Sequence, residues 1–189
     1  MQKITIRDIQ KFKDQRTPFA TVTAYDYVSA RIADAVEIPL VLVGDSAAMV
    51  VYGMDTTIPI SMEEMIFLVR AVCRGSNKSL VVADMPFMSY QASVEDAVRN
   101  AGRFVKEGGA EAIKLEGGRA YTAQIKAIID AGIPVMGHVG LLPQSYHLSS
   151  GYRIQGKTKL EAEKILTDAM AIQDSGSFSV VLEGIPANL

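Results

Sequence analysis

The stretch Pro39-Leu-Val-Leu-Val-Gly-Asp-Ser46 decides the fold. Leu40 to Val43 form a short apolar run of branched residues, the pattern of a strand buried on both faces. Gly44 ends the run, and Asp45 and Ser46 stand directly after it. The same grammar returns further on: Leu80-Val-Val-Ala83 leads into Asp84, Ala112-Ile-Lys-Leu-Glu116 into Gly117-Gly118, and Val180-Val-Leu182 into Glu183-Gly184. Four buried strands therefore carry acidic groups at or near their C-terminal ends. Ionised carboxylates are costly to bury without a metal, a partner or hydrogen bonds. One mouth of a parallel sheet is where α/β enzymes place their sites.

Outward from these runs the pattern alternates. Residues 4 to 14 predict a short helix, with Ile4, Ile6, Ile9 and Phe12 as contacts. Phe19 to Tyr25 predicts the first strand, and Asp26 caps a helix on which Val28, Ile32 and Val36 share a face. A long loop from Asp45 to about Ile60 precedes Ser61 and Glu64, a capping box that opens a helix to about Arg74. Leu80 to Asp84 is a strand, Ser93 caps a helix through Lys106, and Gly108-Gly109 ends it. Ala112 to Glu116 is a strand, about Ala120 to Ala131 a helix, and Pro134 to Val139 a strand carrying His138. A second long loop, 142 to 157, leads to the capping box Thr158 and Glu161, a helix to about Asp174, and a strand from Ser179 to Leu182.

Strict βα alternation implies a parallel sheet with right-handed crossovers. No Gly-x-Gly-x-x-Gly turn follows the first strand, which weakens a dinucleotide-binding reading. Acidic and basic residues at the ends of several strands favour a TIM (β/α)8 barrel, for which about 250 residues are typical. Six strands are visible in 189 residues, so the expectation is one barrel domain over 1–189 whose last two βα units are absent. Such a sheet cannot close, and open edges invite aggregation. Residues 1–189 alone are therefore expected to aggregate and to be inactive.

Hydrophobic residues make up 49% and charged residues 21%, with a net charge of −2. This balance offers no electrostatic footprint for nucleic acid. The single cysteine, Cys73, rules out an intramolecular disulfide, lies in a helical pattern, and reads as a packed small hydrophobe. The N-terminus lacks the apolar core of a signal peptide, and no apolar stretch approaches the roughly 20 residues that span a bilayer. The expectation is a cytoplasmic enzyme with no membrane partner.

Asp45, Asp84 and Glu116 offer three hard oxygen ligands at successive strand ends, a set that suits Mg²⁺. Zinc suits it less, because the two histidines form no ligand-spaced pair. N-caps or surface ion pairs are the plain alternative for each carboxylate. Lys114 stands two residues before Glu116 and points the same way; it can hold a substrate carboxylate, stabilise an enolate, or simply be paired. Ser46 can hydrogen-bond the same carboxylate or cap the following segment. His138 is a ligand-binding donor or a satisfied core histidine. Glu183, apart from the metal set, is a candidate general base for a proton next to a 2-oxo group, or an ordinary ion-pair member. Gly117-Gly118 can cradle a phosphate, a weak signal.

Together these residues resemble the ketopantoate hydroxymethyltransferase family. The matching stretches are Val43-Gly-Asp-Ser46, Met49-Val-Val51, Asp55-Thr-Thr57 with Pro59, and Val82-Ala-Asp-Met-Pro-Phe87. Further matches are Ala112-Ile-Lys-Leu-Glu-Gly-Gly118, Gly137-His-Val-Gly-Leu141, Pro143-Gln-Ser145 and Val181-Leu-Glu183. The resemblance implies a (β/α)8 barrel, Mg²⁺, and transfer of a hydroxymethyl group from 5,10-methylenetetrahydrofolate to 3-methyl-2-oxobutanoate, giving 2-dehydropantoate for pantothenate biosynthesis. It also implies a homo-oligomer whose partners are a 2-oxo acid and folate. By the same resemblance Asp45, Asp84 and Glu116 serve the metal, and Asp45, Ser46, Asp84, Lys114 and His138 the ketoacid, while Glu183 accepts the proton. Ala47-Ala48, Leu142 and Ser149-Ser150 depart from the family pattern in loops. The alternatives are a lyase like phosphoenolpyruvate mutase or isocitrate lyase, which also handles 2-oxo acid enolates, and a non-catalytic truncated subunit.

Overall fold

The computed structural model describes residues 2–189. Its strands are β1 (Thr21–Thr23), β2 (Leu40–Val43), β3 (Leu80–Asp84), β4 (Ala112–Lys114), β5 (Val135–Gly140) and β6 (Ser179–Glu183). The helices are α1 (Ile6–Asp14), α2 (Tyr27–Ala35), α3 (Ala47–Val50), α4 (Met62–Gly75), α5 (Val94–Arg103), α6 (Thr122–Asp130) and α7 (Lys159–Asp174). All six strands are parallel and lie side by side in chain order. With right-handed crossovers, an order that never reverses puts every crossover helix on the same face. A doubly wound sheet would reverse its order at a switch point. The sheet is thus a curled half-barrel.

Two apolar clusters divide the curl. Outside, Val41, Val43, Val81, Ala83, Ile113 and Val135 meet the helices. Inside, Leu40, Leu80, Val82, Ala112 and Met136 meet Ile9 of α1, with Ile4, Ile6 and Phe12 beside it. Alternate residues of one strand serve the two clusters, as the period of two requires. α1 therefore plugs the base of the curl and leaves the C-terminal ends of the strands as the mouth.

Local chemistry sets the helix starts. The Ser61–Glu64 and Thr158–Glu161 capping boxes form as expected, and Asp26 Oδ1 accepts from Ser29 N at 2.8 Å. The shared face of α2 turns outward, however: Val28, Ile32 and Val36 are 64%, 62% and 67% exposed. The buried side of α2 is Ala30, Ala33 and Asp34. Small residues win because α2 and α4 approach closely there; a Cβ on Gly75 would lie 2.7 Å from the Tyr27 carbonyl and 2.8 Å from Ala30 Cβ. Gly75 is thus the last residue of α4 and a packing residue, not only a stop signal. α5 gives way to a π-helical turn, Phe104–Gly108, before Gly109 adopts φ +83°.

β1 and β6 each pair on one side only. All of Thr21, Val22 and Thr23 are exposed, and Leu182 on β6 is exposed as well. A groove of about 790 Å³ at the base is lined by Phe12 and Phe19 on one flank and Phe178 and Val180 on the other. Among the described residues no helix is long and apolar enough to cross a membrane.

Candidate active site

The strand ends bring together five of the residues singled out there, with Glu183 at the rim beside His138. Asp45, Asp84, Lys114, Glu116 and His138 are all buried, an unusual concentration of charge for a protein interior. Each follows from its strand. Asp84 closes β3 and is in register with Lys114 on β4, so both project into the mouth. His138 on β5 is in register with Val181, two residues before Glu183 on β6. Asp45 lies just beyond β2, and its backbone N–H donates to Asp84 Oδ2 at 3.3 Å.

Lys114 Nζ is 2.7 and 2.8 Å from the two oxygens of Asp84 and 3.9 Å from Glu116 Oε1. Burial works against its charge, but the carboxylates of Asp84, Glu116 and Asp45 outweigh burial and raise its pKa above the ordinary lysine range. One ammonium faces three carboxylates, and the imbalance appears in the acids. Burial, followed by repulsion from Asp84, pushes Asp45 up to about 7. Burial pushes Glu116 up to about 8, with Lys114 opposing the rise. His138 is held below the usual histidine range, chiefly by burial. Its Nε2 is 3.2 Å from Glu183 Oε2 and its Nδ1 is 3.7 Å from Glu116 Oε1. Neither contact is aligned as a hydrogen bond, so among the described residues both ring nitrogens and Glu116 Oε1 are buried without a hydrogen-bond partner. Such groups normally find one.

Glu183 differs from the environment sketched for a base in a dry pocket. It sits on the edge strand, its side chain is 43% exposed, and contact with His138 lowers its pKa. Ser46 makes no cap bond with its side chain; its Oγ is 2.8 Å from the Tyr25 hydroxyl at the end of the first strand region. The Gly117-Gly118 turn is no phosphate cradle. The Asp168 carboxylate fills it, accepting from Arg119 N at 3.0 Å, and a Cβ on Gly118 would lie 2.2 Å from that side chain. Cys73 is half-buried on α4 with its thiol pushed up to about 11 by burial, a resting thiol.

Among the described residues no three His, Cys, Asp or Glu side chains converge as a ready-made metal cage. Asp84 turns to Lys114, and Asp45 Oδ2 accepts from Gln144 Nε2 at 2.9 Å. Mg²⁺ asks for less than a cage, taking one or two carboxylates plus water and substrate oxygens. A hard-oxygen donor set with excess negative charge and an unpartnered Glu116 oxygen fits that ion.

Sequence reading gave no role to Gln144, Tyr90 or Tyr25. Gln144, in the one-turn 3-10 helix Pro143–Ser145, reaches from the β5–α7 loop into the mouth. Tyr90 accepts from Glu116 N at 3.1 Å and is 3.0 Å from both Glu116 O and Gln144 Oε1. The only signal for Gln144 was its place in the Pro143-Gln-Ser145 stretch.

The family model described as ketopantoate hydroxymethyltransferase matches residues 3–189. The 3-methyl-2-oxobutanoate hydroxymethyltransferase of Carboxydothermus hydrogenoformans is 52% identical over 189 residues, 100% of this chain and 68% of that protein. The Thermobifida fusca protein of the same name is 50% identical over 188 residues, 100% of this chain and 67% of that protein. The chain thus spans about two thirds of the length of these relatives. Among solved structures, 2,3-dimethylmalate lyase, a PEP mutase/isocitrate lyase superfamily member, superposes with a TM-score of 0.69 at 18% identity, over 98% of this chain and 64% of that one. A phosphonopyruvate hydrolase complex with oxalate and Mg²⁺ gives 0.72 at 13% identity, over 96% and 64%. At such identities the likeness is one of fold alone.

Proposed function

The chain belongs to the ketopantoate hydroxymethyltransferase family, and from that premise we propose that its mouth catalyses hydroxymethyl transfer from 5,10-methylenetetrahydrofolate to 3-methyl-2-oxobutanoate with Mg²⁺. One observation carries the reading: a single buried ammonium faces three buried carboxylates, and among the described residues Glu116 Oε1 and both His138 nitrogens have charged neighbours but no aligned hydrogen bond. A small anionic ligand bound with a divalent cation answers both the charge and the orphaned donors and acceptors.

Asp45 and Asp84 would hold the ion, with Glu116 beside them. When bound, the ion supplies Lewis acidity that makes the proton at C3 of the 2-oxo acid removable. Lys114, charged and fixed by Asp84, attracts the substrate carboxylate. Ser46 Oγ, oriented by Tyr25, donates to the same group. His138, neutral, offers a donor from the floor of the mouth. Glu183 accepts the C3 proton; its lowered pKa keeps it ionised at neutral pH, and its exposure on the edge strand gives it reach. C3 would then bond to the folate methylene carbon while both C–N bonds of that carbon break; water supplies the hydroxyl oxygen, and the two folate nitrogens take up one proton from that water and the one that left C3.

The proposal includes a closed barrel. The free edges of β1 and β6 and the groove between their flanks are the seats for two further βα units, and the proposed chemical residues all lie on or beside the six strands present. A homo-oligomer in the cytoplasm is part of the same reading. The experiment is a calorimetric titration of 3-methyl-2-oxobutanoate with and without Mg²⁺, on the wild type and on Asp84→Ala. Binding should require Mg²⁺ and vanish in the variant; undiminished, Mg²⁺-dependent binding by Asp84→Ala would refute the assignment.

A further inference from the structure

Gln144 is 5% exposed and makes more directed contacts than any other neutral side chain in the mouth. Its Nε2 donates to Asp45 Oδ2 at 2.9 Å and to the Met85 carbonyl at 2.8 Å. Its Oε1 accepts from Gln91 Nε2 at 3.0 Å and lies 3.0 Å from the Tyr90 hydroxyl, whose single hydrogen it shares with the Glu116 carbonyl. A carboxamide has two donor hydrogens and two acceptor lone pairs; both hydrogens are used, and both lone pairs face a donor. The partners fix its orientation, because the Met85 carbonyl and the Asp45 carboxylate can only accept. The backbone N–H of the same residue donates to Glu116 Oε2 at 3.1 Å. One loop residue therefore grips one oxygen of each of two carboxylates that come from different strands. Asp45 is held at a distance of 99 residues along the chain, and Glu116 at 28.

The consequence lies in the oxygens left over. With Oε2 of Glu116 tied to the loop, its Oε1 is the atom without a partner. With Oδ2 of Asp45 tied to the carboxamide, rotation of that carboxylate is blocked. Tyr90 braces the arrangement from below, joined to Gln144 Oε1 and to both backbone groups of Glu116, and the Tyr121 ring packs edge-on against it at 5.3 Å. We infer that Gln144 is a positioning residue whose carboxamide and backbone N–H aim Asp45 and Glu116 at the cation. The inference rests on the Mg²⁺ reading above and assigns to the β5–α7 loop a function in ion binding without making it a ligand. Groups that orient ligands in this way typically account for 10- to 100-fold in metal affinity.

The test replaces Gln144 with methionine, which keeps the length and bulk and removes every polar contact of the side chain. Mn²⁺ serves as the probe, its free fraction read by electron paramagnetic resonance, so that no turnover is needed. Circular dichroism and melting check the fold. Gln144→Met should fold, and its Mn²⁺ dissociation constant should rise by about 10- to 100-fold over wild type. Should Gln144→Met not fold, Gln144→Glu takes its place, since it keeps the shape and the backbone N–H and removes the Nε2 donor to Asp45 and Met85; a rise of about 10-fold supports the inference there too. Wild-type binding of Mn²⁺ with a change under about threefold in the folded variant overturns the inference alone. Failure of the wild type itself to bind Mn²⁺ overturns it together with the metal reading.

Discussion

Lys114→Met is the perturbation whose outcome follows most directly from the geometry. The ammonium is 2.7 Å from Asp84 Oδ1, its side chain is 5% exposed and that of Asp84 is 2% exposed. Methionine preserves most of the stem, so the change removes charge more than volume. Asp84 then keeps only the Asp45 N–H at 3.3 Å, and three buried carboxylates have no cation among them. Breaking a buried pair by deleting one partner costs about 3–5 kcal/mol, because the other charge stays buried and uncompensated. For a chain of this size each kcal/mol moves the melting temperature by about 2–4 °C, so the predicted loss is about 6–20 °C. The double variant Lys114→Met/Asp84→Asn removes both charges and should regain up to about 3 kcal/mol as a coupling between the two sites. Differential scanning calorimetry in metal-free buffer at pH 7.5 reads all three proteins. A Lys114→Met melting point within about 4 °C of wild type, equivalent to about 1 kcal/mol, would show that the pair does not carry this electrostatic load.

Metal-free stability should fall as pH rises. Asp45 and Glu116 have folded pKa values of about 7 and about 8 against 3.8 and 4.5 without the fold, so between about 4 and 8 the folded state holds protons that the unfolded state has released. Melting at pH 6 should therefore exceed melting at pH 8.5 in chelator, whereas the stabilisation added by Mg²⁺ should be larger at pH 8.5, where fewer protons have to be displaced; the opposite trends would refute the assignment of these two groups. Fusing two closing βα units after Leu189 should cover Val22 and Leu182, raise the melting point and reduce light scattering on concentration. Each covered aliphatic side chain contributes about 1.5–3 kcal/mol, and no gain in either measurement would argue that the edges are not the seats of further strands.

The parts of the fold that could be read from sequence were those fixed by local chemistry. β2 and β3 fall where the apolar runs end in Gly44 and Asp84, because a fully buried strand has no other composition available. The capped starts of α4 and α7 were equally clear, since a capping box is complete within four residues. α2 was misleading in one respect. Its apolar stripe Val28, Ile32, Val36 has the right period, but the buried face is chosen by how closely Ala30 can approach Gly75, a contact between separate helices. The carboxylates of the site were visible because each ends a strand or follows one within two residues. Gln144 was not, because its partners are brought to it by the curl of the sheet, and a neutral residue in a loop carries no periodic signal. The lowered pKa of Glu183 was hidden for the same reason: it depends on His138 one strand away.

The central claim is that this mouth removes the C3 proton of a 2-oxo acid and that Glu183 receives it. The direct measurement is the exchange of that proton of 3-methyl-2-oxobutanoate with D₂O, followed by proton NMR, without folate, on the chain and on its fused form with two closing units. Exchange should occur in at least one form, should require Mg²⁺, and should slow in Glu183→Gln by about 10²- to 10⁴-fold, the usual contribution of a general base. Exchange in Glu183→Gln at the wild-type rate, or none in either folded form with Mg²⁺ present, would contradict the account.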